Sequence, residues 1–477
     1  MTVPSVSFLA FAAVAALIFN LGKAAWWRQV VLLATNVAFF ASFSPNPLSY
    51  VPFLAFLALG FLTQIVTGNG ARPRFFVFLL VLTIAVFVWL KRYSFVPNAA
   101  FLPFLYVLVG LSYVFFRVVH LIIDRHQGEI EGRVGLVSYL NYTLNFTALT
   151  SGPIQRYDDY RRMELERLPL DLVVAGRALE RIIIGYFKVA IVSMLLAEVQ
   201  REAIDALLLV PPLADRVATG ILVAALYPLY LYANFSGYVD VVIGVARFFR
   251  IELPENFDRP FSSENFINFW SRWHITLSSW LKTYVYNPLM MVGMERIAAP
   301  ALAPYIGVFA FFVTFFLVGL WHGQTSEFLF FGFLQGGGVA ANKLYQLLMQ
   351  KRLGHKGYRE LARNPVYTAI CRGLTFTWFA FTLLWFWSNW QQIATFSHAL
   401  GPEGMLLTWL AIFIVATVLL AIGEPLRRGV LRMSWQGGPL LLSRYVRTAW
   451  GTALAAVTVA VIVLLNSPAP DIVYKSF

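Results

Sequence analysis

Apolar runs long enough to cross a bilayer recur from Phe8 to Leu465, and no other feature limits the fold so strongly. In hydrocarbon every backbone N–H and C=O must be satisfied within the chain, which leaves α-helices or a closed β-barrel. Barrel strands read as short alternating segments, and these runs do not alternate. The expected fold is an all-α polytopic membrane protein. Composition agrees: 59% of the 477 residues are hydrophobic and 13% are charged, against about a quarter charged in soluble domains. A soluble globular fold and a disordered chain are both excluded.

Candidate spans cover residues 8–20, 30–44, 50–66, 75–90, 101–123, 182–196, 217–231, 303–320, 328–348, 375–387, 405–422 and 453–465. Residues 135–150 (GLVSYLNYTLNFTALT) are too polar to face lipid and read as re-entrant or buried in protein. Residues 1–7 carry no Lys or Arg, so the first run reads as a retained helix rather than a signal peptide. The net charge is +13. Most of the excess lies in alternate loops, such as those holding Arg156, Arg161 and Arg167 or Lys351, Arg352 and Lys356. These loops share the cytoplasmic side if the N-terminus is outside, as the positive-inside rule requires. Both termini are then extracytoplasmic. Lys91, Arg92, Arg201 and Arg216 are exceptions on the outer side. No basic soluble face is long enough for nucleic acid, so no such partner is expected. Cys371 is the only cysteine, which excludes an intrachain disulfide and a Cys-based metal site.

Residues 247–290 differ from the rest. Pro254 and Pro260 keep the first part extended, and Ser262 or Ser263 is placed to cap the helix that follows. Phe266, Trp270, Trp273, Leu277, Trp280 and Tyr284 then recur in steps of four and three, one apolar stripe of an amphipathic helix. Arg272, His274, Ser278 and Lys282 lie off the stripe. A Trp-rich face with a basic flank suits a helix at the membrane interface.

Ionisable groups inside a membrane protein are costly and mark function. Of six histidines, His126, His355 and His398 fall in loops or at a helix end, and His120 lies within an apolar run. His322 stands where one span ends and the next begins, flanked by Trp321 and Gly323 in LVGLWHGQTSEF. A neutral imidazole in a dry site can take a proton from a hydroxyl. No His-x3-His pair, GxxxxGK[ST] loop or GxSxG elbow is present, so no metal, nucleotide or serine-nucleophile site is expected.

NFWSRWHITLSSWL followed by GLWHG resembles the membrane-bound O-acyltransferase (MBOAT) superfamily, in the bacterial branch of alginate O-acetylation and teichoic-acid D-alanylation proteins. SGPIQRY (151–157), YANFSGYVDVVIG (232–244) and LPENFDRPF (253–261) match that branch in kind and order. The chain departs from it in three places. Asn234 stands where an acid is common, WLKTYVYNPLMM replaces the alginate-type continuation, and Gln335 takes the place of a further histidine.

The resemblance implies an MBOAT fold of roughly 11–13 transmembrane helices with interfacial and re-entrant helices, forming one domain over residues 1–477. In that domain 1–109 would be N-terminal helices, 110–345 the motif-bearing core, 346–465 C-terminal helices and 466–477 an extracytoplasmic tail. It implies acyl transfer from a cytoplasmic thioester to a hydroxyl, across the bacterial inner membrane, for modification of an envelope or secreted polymer. The donor would be coenzyme A or a carrier protein's phosphopantetheine arm, with no tightly bound cofactor. By the same resemblance His322 is the catalytic position and His274 the second functional one. Arg272, Trp273, Asn234, Tyr238, Asp240 and Gln335 are candidates for contacting substrate, and Asn234, Tyr238 and Asp240 are equally able to tie helices together by hydrogen bonds. Membrane lipid and an extracytoplasmic acyltransferase or esterase-like protein are the expected partners.

After the last span comes NSPAPDIVYKSF. Its Ile472-x-Tyr474-x-x-Phe477 is similar to the C-terminal F-x-Y-x-x-F pattern of the small partner in D-alanylation systems, which makes Tyr474 a candidate acyl acceptor. Two other classes remain open at this point: a polysaccharide or ion transporter, which would usually show paired repeats with broken helices, and a non-catalytic scaffold of an envelope-modifying complex, which would not need His274 and His322.

Overall fold

A computed structural model describes residues 3–68, 72–297, 299, 301–435, 438–439 and 443–465. Tyr474 and the tail around it lie outside the described residues. Among the described residues the fold is helical, apart from a two-residue ladder pairing Ser434–Trp435 with Gly438–Pro439 and an isolated bridge between Phe257 and Trp273. Among the described residues seven helices are long and apolar enough to cross a membrane: Pro47–Val66, Pro73–Leu90, Leu172–Leu208, Leu213–Phe248, Ala303–His322, Pro365–Trp387 and Trp390–Arg432. A shorter apolar helix, Val6–Leu21, precedes them. The expected runs at 328–348 and 453–465 fall within helices Ser326–Arg363 and Arg444–Leu465, and the run at 30–44 overlaps helix Ala25–Ala41 but ends three residues beyond it. The protein is an all-α polytopic membrane protein.

Three local expectations are corrected. The run 101–123 is not one helix, because the helix there is Leu111–Gln127. Pro103 interrupts the segment before it, and Gly110 precedes the helix in the left-handed region at φ 82. A Cβ on Gly110 would meet the Leu149 carbonyl oxygen at 2.8 Å. Arg92 donates to the carbonyls of Leu102 and Phe104 at 2.9 and 3.2 Å and stacks over Tyr106, so this exception to the charge bias holds a loop. The second correction concerns the expected serine cap. Asn265 performs it, accepting from Asn268 N. The third concerns the stripe, described below.

The chain divides into two compact units. The first gathers Met1–Tyr186 and Phe235–Glu255. Here the polar segment expected at 135–150 is buried in protein, with a short helix Leu136–Thr143 at its start. Its backbone and amides are satisfied from neighbouring helices. Arg117, 1% exposed, donates to the carbonyls of Thr143 and Ala148 at 2.9 and 2.7 Å. Asn36 donates to Asn141 at 3.1 Å and accepts from Phe146 N at 2.9 Å. His120 accepts from Tyr157 N at 3.0 Å through Nε2, while its Nδ1 lies 3.1 Å from Asp124. Tyr157 opens helix Tyr157–Leu165, so this histidine supplies an acceptor for one of the N–H groups a helix start leaves unmet.

The second unit gathers Phe187–Asn234 and Asn256–Asn466. Its centre is the pair Ala303–His322 and Ser326–Arg363, joined by a three-residue turn. The pair meets through glycines. A Cβ on Gly319 would lie 2.3 Å from Gly332 Cα, and one on Gly332 would lie 2.5 Å from the Phe316 carbonyl oxygen. Small residues let helix backbones approach closely in membranes.

Candidate active site

His322 is the last residue of helix Ala303–His322 and is 3% exposed. Its imidazole is walled by aromatic rings: Trp321 at 4.5 Å between centroids, Phe386 at 5.0 Å and Phe331 at 6.0 Å. Phe386 and Phe331 are buried. After His322 the chain leaves the helix at Gly323, where a Cβ would lie 2.0 Å from the Phe328 ring. That close approach explains the glycine of WHG: any side chain there would displace an aromatic residue that packs on Phe386.

Gln335 and Thr382 stand one helical turn from Phe331 and Phe386 in sequence (331 to 335, 382 to 386), so each pair shares a helix face. Gln335 Nε2 donates to Thr382 Oγ1 at 2.8 Å, and both side chains are fully buried. Gln335 therefore pins together the two helices whose aromatic residues bracket His322. The sequence marks Gln335 only as a replaced histidine. Its partner, 47 residues on, carries no local signal.

His274 is held differently. The apolar stripe from Phe266 to Tyr284 does not form one helix. Helix Phe266–Trp270 ends, and a second, Ile275–Leu281, begins after His274. His274 itself takes left-handed backbone angles, φ 46 and ψ 54. The stripe is also not laid on a membrane surface: Phe266, Trp270, Trp273 and Leu277 are each at most 5% exposed. The break has a visible cause. The LPENFDRPF segment runs alongside it, with Asp258 N donating to the Arg272 carbonyl at 2.9 Å and Ile275 N to the Asn256 carbonyl at 3.0 Å. These bonds replace helical ones. A residue with a Cβ rarely enters this region of φ and ψ without surrounding structure that enforces it.

Asn256, fully buried, is the hub. Its Oδ1 accepts from Thr276 N at 3.1 Å and Thr276 Oγ1 at 2.9 Å, and lies 3.3 Å from His274 Nδ1. An oxygen that already accepts from an amide N–H faces Nδ1 as an acceptor, so Nδ1 carries the proton and Nε2 the lone pair. Burial drives the His274 pKa down to about 3, which keeps the ring neutral at physiological pH. Trp321 packs on both histidine rings, 6.0 Å from His274 and 4.5 Å from His322.

This gives a pH dependence with a definite sign. The unfolded histidine titrates near 6.5, whereas the folded one stays neutral down to about 3. The unfolded chain binds the extra proton over that window, so stability falls as pH drops through it. Between pH 7 and pH 5, His274 should remove about 2 kcal/mol of stability, and a His274→Asn variant should be spared that loss. Asn tolerates the left-handed backbone. Chemical melts in detergent at both pH values measure it, and parallel pH profiles for the two proteins would rule it out.

The other expected residues are placed as follows. Trp273, 2% exposed, stacks on Phe269 and meets Phe257, Phe261 and Phe379 edge-on or tilted. Arg272 donates to Ser262 Oγ at 3.0 Å. Asn234 is fully buried in helix Leu213–Phe248. These belong to the second unit with both histidines, while Tyr238 and Asp240 belong to the first. Tyr238 is hydrogen-bonded to Thr150. Asp240 accepts from Arg181 Nε at 3.0 Å, and Arg181 forks onto Glu255 at 2.6 and 2.5 Å. Both side chains thus tie elements together, one of the two roles open to them. Asn256, Thr382, Phe331 and Phe386 are functional-site neighbours that sequence reasoning did not single out. Among the described residues no three His, Cys, Asp or Glu side chains gather in a way that could hold a metal ion.

Comparison with known proteins adds a separate line of evidence. Over 230 residues the chain is 29% identical to a teichoic acid D-alanyltransferase of Bacillus subtilis, covering 47% of this chain and 56% of that protein. It is 30% identical over 236 residues to a probable alginate O-acetylase AlgI of Pseudomonas syringae pv. tomato, covering 49% and 42%. It is 39% identical over 125 residues to a peptidoglycan O-acetyltransferase of Helicobacter pylori, covering 26% and 22%. The chain spans about half the length of the first curated relatives it matches. The model of the membrane-bound O-acyltransferase family matches residues 85–386, a stretch that holds His274, His322, the Asn256 hub and the glycine seam. The chain belongs to the membrane-bound O-acyltransferase family.

Proposed function

We propose that the protein is an O-acyltransferase of a bacterial inner membrane. It takes an acyl group from a cytoplasmic thioester, either acyl-coenzyme A or the phosphopantetheine arm of a carrier protein, and passes it outward to a hydroxyl for modification of a cell-envelope or secreted polysaccharide. The observation that carries this reading is His322, a buried imidazole at a helix end, walled by aromatic rings, in a chain of this family.

A thioester is already activated, so the protein has to supply a base, a dry pocket and alignment. His322 removes the acceptor hydroxyl proton as the oxygen attacks the thioester carbonyl. The tetrahedral intermediate collapses, the C–S bond breaks, and the thiolate leaves with the proton that His322 returns. His274, neutral and fixed in one tautomer, orients the bound acyl donor and is not the base. Arg272 and Trp273 line the approach to it. Asn234 is a contact for the acceptor, and Gln335 shapes the walls around His322. Tyr474 is the first acceptor, by the likeness of its tail to a D-alanylation partner, and an extracytoplasmic transferase then moves the acyl group to polymer. The phenol is a weak nucleophile near neutral pH and needs that base.

Vesicles holding the full chain, supplied on the cytoplasmic face with an isotope-labelled acyl thioester, should yield a labelled acyl adduct on Tyr474 by mass spectrometry. Labelled polymer with an unmodified Tyr474 under turnover would remove the tail from the scheme. No transfer from either thioester class would overturn the reading as a whole.

A further inference from the structure

The first unit contains a cationic cleft that the acyl-transfer reading does not use. Three arginines from distant parts of the sequence converge on the turn after helix Tyr157–Leu165. Arg28, on helix Ala25–Ala41, donates through Nη2 to the Glu164 carbonyl at 3.4 Å. Arg250 donates through Nη1 to the Leu168 carbonyl at 2.5 Å and through Nε to Asn20 at 2.9 Å. Arg167 lies within that turn and is exposed. Each bond described here ends on a neutral oxygen. The nearby carboxylate, Glu164, takes hydrogen bonds from Ser138 at 2.6 Å and from Tyr160 at 3.3 Å.

Arg28 is the telling member. It is 8% exposed, and its Nε is buried with no hydrogen-bond partner among the described residues. A guanidinium withdrawn from water is costly, and the Glu164 charge offsets only part of that cost at Arg28. Burial first, and then the neighbouring arginines, hold both Arg28 and Arg250 below the usual guanidinium range. Arg28 also lines a shallow cleft with apolar walls from Phe19, Leu32, Met163, Phe249 and Ile251 and a polar side formed by Gln29, Tyr160 and Glu164. Three forks with donors to offer beside an apolar trough match an oxyanion carried on a hydrophobic body.

We infer that Arg28, Arg167 and Arg250 form a phosphate-binding site, and that its ligand is the headgroup phosphate of an anionic phospholipid whose chain lies along the apolar side of the cleft. The test uses the full-length protein in detergent, with dioctanoyl phosphatidylglycerol and inorganic phosphate as separate probes. The lipid should raise the melting temperature by several degrees and appear as one retained adduct in native mass spectra. Arg167→Gln, at an exposed position, should weaken retention at least fivefold, and Arg28→Gln should abolish it. Arg201→Gln, which alters an exposed arginine paired with Glu198 and Asp205, should bind as the unaltered protein does. Protection by inorganic phosphate at equal concentration, lost in Arg167→Gln, would keep the phosphate site but overturn the lipid as its source. Equal lipid retention by Arg167→Gln and Arg201→Gln would overturn the site. None of these readouts involves acyl transfer, so failure here and failure of the proposed reaction are distinguishable.

Discussion

Replacing His322 by Gln should lower the rate of acyl transfer by about 10²- to 10⁴-fold, the usual contribution of a positioned general base. That range corresponds to about 3–5 kcal/mol of transition-state stabilisation. Gln is the informative substitution because it keeps most of the volume among Trp321, Phe331 and Phe386 but cannot take a proton. His322→Ala should lose at least as much rate, and in addition some stability from the cavity it leaves. Donor binding, measured as protection by a non-hydrolysable thioester analogue, should be unchanged in His322→Gln, since the base acts in the transition state. A His322→Gln protein working within threefold of the unaltered rate would remove this histidine from the chemistry.

The second large effect is expected from a residue with no functional group. Gly319→Ala should cost about 3 kcal/mol or more, beyond the typical 1–3 kcal/mol of an overpacked core. The reason is what the new methyl would meet. Gly332 Cα at 2.3 Å, Gly332 N at 2.4 Å and the Phe328 carbonyl oxygen at 2.4 Å are all backbone atoms of the facing helix. None can swing aside as a side chain would. The helices would have to part by about 1 Å to restore ordinary contact. His322 sits three residues along the same helix, and a misplacement of about 1 Å can cost about 10² in rate. Gly319→Ala should therefore lower both the melting temperature and the turnover, whereas His322→Gln lowers chiefly the second. Unchanged melting and turnover in Gly319→Ala would show that the seam yields more easily than backbone atoms should.

The legible and illegible parts of this protein separate by range. Apolar run length places most helices, because a span needs only its own residues to satisfy its backbone. WHG and RWH are legible as motifs for the same reason: each is local. The stripe from Phe266 to Tyr284 shows the limit. Its periodicity correctly marks Phe266, Trp270, Trp273 and Leu277 as one apolar set. Yet it passes unbroken through His274, where hydrogen bonds from Asn256 and Asp258 impose a turn. Those partners precede it by 16–18 residues and compete for the same N–H and C=O groups, which no helical wheel registers. Gln335 and Thr382 fail for a like reason, as does Arg181 with Asp240. The tie at Asp240 becomes visible only once its distant arginine is seen.

The glycine seam also governs traffic. Where helices Ala303–His322 and Ser326–Arg363 touch backbone to backbone, no gap remains wide enough for an acyl chain or a sugar to slip through. That flank of His322 is closed by backbone, so in the proposed reaction the acyl donor and its acceptor would reach the imidazole by other routes.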